Sequence, residues 1–239
     1  MSFAVAADAY DRYMGRYSAA LAPQLAAYAG VRSGQRVIDV GCGPGALTRE
    51  LVDRLGPTKV FAIDPSEPFV EAIRERFPGV DVRLAAAEQL PFPDKAFDAA
   101  LAQLVVHFMS DPVAGLREMA RVVHQDGVVG ACVWDHAGER SPLSVFWRAA
   151  RELDPDVEDQ SRRPGVREGH LAELFVQAGL RNVESTALEA TVVHASFEEW
   201  WGPFTLGVGP AGVYMSRLDA DSAERAHEAL PGATAASAL

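Results

Sequence analysis

Apolar residues in this chain fall into short unbroken runs, and between the runs they recur with helical spacing. Residues 5–29, rich in Ala, Leu and Tyr, predict a helix that Gly30 and Gly34 close. Residues 36–41 (Arg-Val-Ile-Asp-Val-Gly) predict a first strand, followed by a helix over 46–55 that Gly56-Pro57 stops. A second strand is expected over 59–64, a helix from Pro65-Ser66 to Phe77, and a third strand over 81–85. The fourth strand runs from about Phe97 to Leu104 and the fifth over 127–134. Between them Asp111 is a good N-cap and Pro112 suits the first position of a helix reaching about His124. Strands without polar alternation are buried on both faces, and strand–helix–strand repetition gives a parallel, doubly wound sheet.

The C-terminal half is less regular. Helices are expected over 142–153, 168–178 and 216–230, with a polar loop over 154–164. Residues 182–195 read as strand-like with a break near Leu188-Glu189, and 202–212, rich in Gly and Pro, read as a loop. Residues 181–195 can supply a sixth strand. The Ala-rich tail 231–239 is a poor seventh, and the sequence leaves open whether 188–195 doubles back to provide it.

Composition narrows the partners. The 239 residues are 49% hydrophobic and 23% charged, ordinary for a globular protein, with a formal net charge of -11. The pI of about 5.0 argues against nucleic acid or an anionic membrane surface, both of which need clustered Lys and Arg. Two cysteines, Cys42 and Cys132, form no CxxC pair, and no carboxylate cluster has metal-ligand spacing. Residues 1–9 lack a secretory pattern, and no apolar run approaches the ~20 residues of a membrane span. The expectation is a cytoplasmic protein without stable membrane insertion.

The strongest chemical signal lies between the first strand and its helix, where open α/β sheets bind ligands: Val37-Ile38-Asp39-Val40-Gly41-Cys42-Gly43-Pro44-Gly45. Glycines let the turn tighten and a ligand lie against the backbone, and the next helix offers free N–H groups. Gly41-x-Gly43-x-x-Ala46 also fits the loose dinucleotide pattern. Three features favour S-adenosylmethionine over NAD(P). Asp39 can face an ammonium and would repel a pyrophosphate. Gly45 extends the loop to GxGxG. Neither lysine, Lys59 or Lys95, has a tyrosine four positions before it, as a short-chain dehydrogenase would require. Asp64, ending the second strand, can accept hydrogen bonds from a ribose diol, or can cap the helix after Pro65.

The segments VIDVGCGPGALT (37–48), FAIDPS (61–66), AAAEQLPFPDKAFD (85–98) and LREMARVVHQDGVV (116–129) together resemble the successive motifs of class I S-adenosylmethionine-dependent methyltransferases. The similarity is strongest to the branch that includes ubiquinone and menaquinone biosynthesis enzymes, and it covers roughly residues 10–135. It implies an α/β, Rossmann-like, doubly wound, mostly parallel sheet of six or seven strands flanked by helices. An N-terminal helical lid (1–33), a cofactor-binding core (34–135) and C-terminal helical and aromatic additions (136–239) would make up one domain. By the same resemblance Asp39, Gly41, Cys42 and Gly43 hold the methionine end of S-adenosyl-L-methionine and Asp64 the ribose. The backbone around Ala86, Ala87 and Glu88 meets the adenine. The family usually has Asp where Ala86 stands, so Glu88 or backbone groups would replace it. Pro65 and Phe69 would cover the adenine, and Gln103 would line the reactive end. In the lid, Arg16 would pair with the methionine carboxylate and Tyr17 would close over the sulfonium.

Methyl transfer is a displacement with a neutral leaving group, so positioning and exclusion of water matter most. His107, after the fourth strand, is the first candidate for a base, and His136 the second; either position also suits a packed histidine. Phe146, Trp147, Phe197, Trp200, Trp201 and Phe204 make the C-terminal region aromatic. They suggest an apolar or aromatic small-molecule acceptor, or a packed core. Two other readings stay open: an NAD(P)-dependent oxidoreductase, and a relative that binds the cofactor without catalysis. The oligomeric state is not set by the sequence.

Overall fold

A computed structural model describes residues 7–219 together with 221, 223 and 225. The chain opens with α1 (Ala7–Tyr10), a single π-helical turn (Asp11–Gly15) and α2 (Arg16–Tyr28). The parallel strands follow: β1 (Val37–Val40), β2 (Val60–Asp64), β3 (Asp81–Leu84), β4 (Phe97–Gln103) and β5 (Val123–Cys132). Between them run α3 (Ala46–Leu55), α4 (Glu67–Arg76) and α5 (Pro112–Val122). The strand order is β3-β2-β1-β4-β5, with every pairing parallel. The order reverses between β1 and β4, and the loops beyond their carboxyl ends form the crevice.

Successive strand residues point to opposite faces, and the core follows that period. Val37, Ala99 and Leu101 pack with Leu25 of α2 and Leu47 and Leu51 of α3 on one face. Ile38, Val40, Ala100 and Ala102 pack with Leu116 and Met119 of α5 on the other. Asp39 shares the α3 face with Val37, a placement that matters below. Leu101 is completely buried at the centre of the sheet. Leu101→Ala is expected to cost about 2–5 kcal/mol, through lost burial and a residual cavity. Urea denaturation at neutral pH measures it; a loss under about 1 kcal/mol would be inconsistent with this packing.

The helices are close to expectation: Asp111 caps α5, its side chain accepting from the Ala114 N–H at 3.0 Å. Beyond β5 lie α6 (Ser144–Leu153), α7 (His170–Gln177), α8 (Phe197–Trp201), a 3-10 turn (Gly202–Leu206) and α9 (Gly209–Met215). Three expectations are corrected. The sheet has five strands among the described residues, not six or seven. Residues 181–195 form no strand. There the Gln24 side chain donates to the Glu189 carbonyl (2.7 Å) and accepts from the Glu189 N–H (3.2 Å), taking bonds a neighbouring strand would have made. Residues 202–212 are largely helical rather than loop, because Pro203 and Pro210 sit in first turns, where proline fits, and Gly207 ends the 3-10 turn at φ 71°. The expected helix 216–230 lies largely, and the tail 231–239 wholly, outside the described residues.

Candidate cofactor site and acceptor face

The turn after β1 hooks onto β2: the N–H groups of Gly41 and Cys42 both donate to the Ile63 carbonyl, at 2.8 and 2.9 Å. Gly41 has φ +74°, and a Cβ there would lie 2.5 and 2.6 Å from the Val105 methyl groups. Only glycine permits that approach. Gly43 has φ +52°, and a Cβ there would meet nothing within 4 Å. The loop therefore packs tightly behind Gly41 and faces open space at Gly43.

Two acids flank that space. Asp39 is only 1% exposed; its Oδ2 accepts from the Thr48 hydroxyl of α3 at 2.6 Å, and its Oδ1 has no partner. Burial pushes its carboxyl up to about 7; the Thr48 bond opposes that rise and the Asp64 charge adds to it. Asp64 accepts from the N–H groups of Gly43 (2.9 Å) and Ser66 (2.8 Å). Burial raises it to about 6, against those two bonds. Cys42 is buried, and its thiol lies well above the usual range, first through burial and then through Asp39 and Asp64. A buried carboxylate with an idle oxygen lacks a cation or donor. The ammonium of a methionine moiety fits that need, whereas a pyrophosphate would meet two acids.

The other residues around the crevice are placed as follows. Phe69 is buried and Pro65 exposed, both beyond β2. Ala87 is buried and Ala86 exposed. Glu88 Oε1 accepts from the N–H groups of Ser110 (2.7 Å) and Asp111 (3.1 Å), so it holds the turn before α5. Gln103, at the end of β4, donates from Nε2 to the Ser18 carbonyl of α2 at 2.9 Å, and its Oε1 has no partner.

Residues 16 and 17 of the N-terminal helices pair with the C-terminal segment. Arg16 forms an ion pair with Glu199 of α8. The Tyr17 hydroxyl meets His194 Nε2 at 2.9 Å, with its ring edge-on to Trp134. Both side chains thus join the lid to the C-terminal segment instead of facing Asp39. Tyr10 instead packs against α4. Its ring stands edge-on to Phe69 at 5.5 Å. Its phenol is raised by burial and then by the neighbouring Asp64 charge. Helical periodicity alone did not single out Tyr10, because its neighbour Phe69 comes from α4, far along the chain.

On the acceptor side, Leu104 has φ +60° and turns the chain sharply out of β4, ahead of a 3-10 turn over Val106–Phe108. His107 is buried there, with Nδ1 unpartnered and its ring 4.0 Å from Phe108 and 5.8 Å from His136. Burial, then His136 and Arg163, hold it well below the usual histidine range. His136 Nδ1 meets the Ser141 hydroxyl at 3.1 Å, and burial lowers it to about 4. Burial thus favours the uncharged form of both imidazoles, and only His136 has a side-chain partner. Phe146 stacks on Phe204 at 4.6 Å, within a buried cluster holding Trp147 and Trp201. Between that cluster and the N-terminal helices lies a cavity of about 270 Å³, lined by Tyr13, Tyr17, Trp200 and Phe204 and by the charged Arg12, Arg16, Glu198 and Glu199, among others.

A parallel sheet whose switch point carries a glycine turn flanked by two buried acids defines a nucleoside-cofactor protein of the doubly wound class. Comparison with known proteins narrows this. A family model described as a methyltransferase domain matches residues 38–130. The chain is 31% identical over 186 residues to a ubiquinone/menaquinone biosynthesis C-methyltransferase of Cupriavidus metallidurans, covering 70% of this chain and 76% of that protein. It is 33% identical over 140 residues to an uncharacterized methyltransferase of Mycobacterium tuberculosis, covering 59% and 54%. The chain spans about half the length of the first curated relatives it matches. A protein of Anabaena variabilis described as a methyltransferase from an antibiotic biosynthesis pathway shares the fold, with a TM-score of 0.63 at 19% identity over 90% of this chain and 87% of that one. A SAM-dependent methyltransferase of Thermotoga maritima does so with a TM-score of 0.55 at 24% identity over 72% and 76%. The chain belongs to the class I S-adenosylmethionine-dependent methyltransferases, a family whose methyl donor is S-adenosylmethionine.

Proposed function

We propose that this protein transfers the methyl group of S-adenosylmethionine to a small apolar or aromatic acceptor. The observation that carries the reading is the idle, buried Oδ1 of Asp39 near the end of β1, just before the glycine turn that is open at Gly43. Asp39 with the backbone of Gly41, Cys42 and Gly43 would hold the methionine end, and Asp64 the ribose. Pro65, Phe69 and Tyr10 would enclose the adenine side. With Glu88 Oε1 engaged by Ser110 and Asp111, adenine recognition would fall chiefly to the backbone at Ala86 and Ala87. Gln103 would border the reactive end. When bound, the cofactor supplies an activated methyl carbon; the protein orients the acceptor and keeps water out.

The rings of Tyr13, Tyr17, Trp200 and Phe204 in the cavity at the N-terminal helices, beside its charged Arg12, Arg16, Glu198 and Glu199, support an acceptor that carries an aromatic ring. Among similar proteins, one from rice is named a 2-methyl-6-phytyl-1,4-hydroquinone methyltransferase and one from Serratia marcescens a malonyl-[acyl-carrier protein] O-methyltransferase. The aromatic walls here accord better with a ring than with an acyl carrier. His107 and His136 do not line that cavity, and their burial makes them weak bases. The net charge of -11 supports a partner other than nucleic acid. Among the described residues no helix is long and apolar enough to cross a membrane. Both cysteines are free thiols, which accords with a reducing, cytoplasmic setting.

Incubation with methyl-labelled S-adenosylmethionine and a panel of phenols, quinols and amines tests the reading. Labelled phenol or quinol product that vanishes in Asp39→Asn is expected. Saturable cofactor binding without product across the panel would contradict the small-molecule assignment.

A further inference from the structure

The last residue of α4, Arg76, lies outside every motif read from the sequence, yet one guanidinium joins the glycine loop to the lid. Its Nη1 donates to the Pro44 carbonyl at 2.9 Å, inside the loop between Gly43 and Gly45. The same nitrogen donates to Asp11 Oδ2 at 2.7 Å, and Nη2 donates to Asp8 Oδ1 at 2.9 Å. Asp8 and Asp11 bracket Tyr10, whose ring rests edge-on against Phe69. Directly after Tyr10 comes the π turn, a local departure from helical geometry of the kind found at functional sites.

We propose that Arg76 is a positioning residue for cofactor binding: by gripping Asp8, Asp11 and the Pro44 carbonyl together, it seats Tyr10 against Phe69 as the wall of the nucleoside end. The planar fork of arginine suits this task, because donors in fixed directions reach a carbonyl and two carboxylates at once. A lysine would offer one point charge.

The grip is not chiefly a source of global stability. Asp8 is 90% exposed and Arg76 29%, and exposed ion pairs contribute little to folding. Its effect is local. The lid must be seated before the nucleoside gains its wall, so the apparent affinity falls with the fraction of seated lid. The inference rests on the methyltransferase reading only for its cofactor arm; the lid arm needs no ligand.

The test uses the full chain and the variants Arg76→Gln, Arg76→Lys and Asp11→Asn. Hydrogen exchange without ligand should be about tenfold faster across residues 7–20 in Arg76→Gln, and unchanged in β1 and β4. Calorimetric titration with S-adenosylhomocysteine should show Kd raised about tenfold in Arg76→Gln, with Arg76→Lys restoring it only in part. In turnover, the KM for S-adenosylmethionine should rise while the KM for the acceptor holds. Adding Asp11→Asn to Arg76→Gln should cost little more than Arg76→Gln alone, since both remove the same grip. Wild-type exchange across 7–20 in Arg76→Gln would overturn the proposal, as would a loosened lid with unchanged Kd. A wild-type protein that ignores S-adenosylhomocysteine would instead count against the proposed function.

Discussion

Asp39→Asn is expected to weaken binding of S-adenosylhomocysteine and S-adenosylmethionine by about a hundredfold to a few thousandfold, the equivalent of about 3–5 kcal/mol for breaking a buried charge pair. The ammonium of either ligand would lose its one buried counter-charge at this end of the crevice. Asn keeps the shape and can still accept from the Thr48 hydroxyl, so the fold and the turn after β1 survive. Calorimetric titration of both proteins at pH 7.5 measures the change. Affinity within a factor of about three of wild type would place the ammonium elsewhere. Asp64→Asn serves as a comparison: its carboxylate already accepts from Gly43 and Ser66, so part of its role there is structural.

The same substitution should stabilise the ligand-free protein at alkaline pH. In the unfolded chain Asp39 titrates near about 3.9, whereas burial brings it up to about 7 in the native state. Between those values the native protein holds more protons than the unfolded one, so stability falls as pH rises. The contribution of Asp39 is full below about pH 4 and lost on passing about pH 7; its size is on the order of 4 kcal/mol. His107 and His136 act in the opposite sense. Their native values are depressed, so the unfolded chain takes up protons first, and they favour folding as pH rises. The difference between wild type and Asp39→Asn removes that background. In urea denaturation without cofactor, Asp39→Asn should exceed wild type by a few kcal/mol at pH 8 and approach it at pH 5. A difference independent of pH would show that Asp39 is not the buried, uncompensated acid described above. This is a stability–function exchange: the residue that weakens the empty protein is the one the cofactor needs.

The five strands and the glycine turn were legible because their causes are local. A strand buried on both faces must be apolar throughout, as Val37-Ile38 and Ala99-Ala100-Leu101-Ala102 are, and a turn pressed against Val105 must have glycine at 41. Asp39 and Asp64 stood out as acids where an apolar strand ends. Other features depend on where distant segments meet. Arg76 gains its partners from residues 8, 11 and 44, and no spacing near position 76 announces them. Arg16 and Tyr17, expected at the cofactor, pair with Glu199 and His194, residues far along the chain that no local spacing announces. Residues 181–195 carry strand-like alternation, yet Gln24 occupies the backbone of Glu189, and a side-chain amide doing this leaves no trace in the segment itself. The glycines and prolines of 202–212 read as breakers because the sequence does not say whether a proline stands in the first turn of a helix or beyond its end.

The central claim is that Asp39 and the turn around Gly41 and Gly43 receive the ammonium end of a nucleoside thioether. Calorimetric titration of the wild-type protein with S-adenosylhomocysteine at pH 7, in buffers of differing ionisation enthalpy, tests it most directly. The account predicts saturable one-to-one binding that releases roughly half a proton as Asp39 gives up its own, with no release in Asp39→Asn. Absence of binding, or binding of NADH in its place, would contradict it.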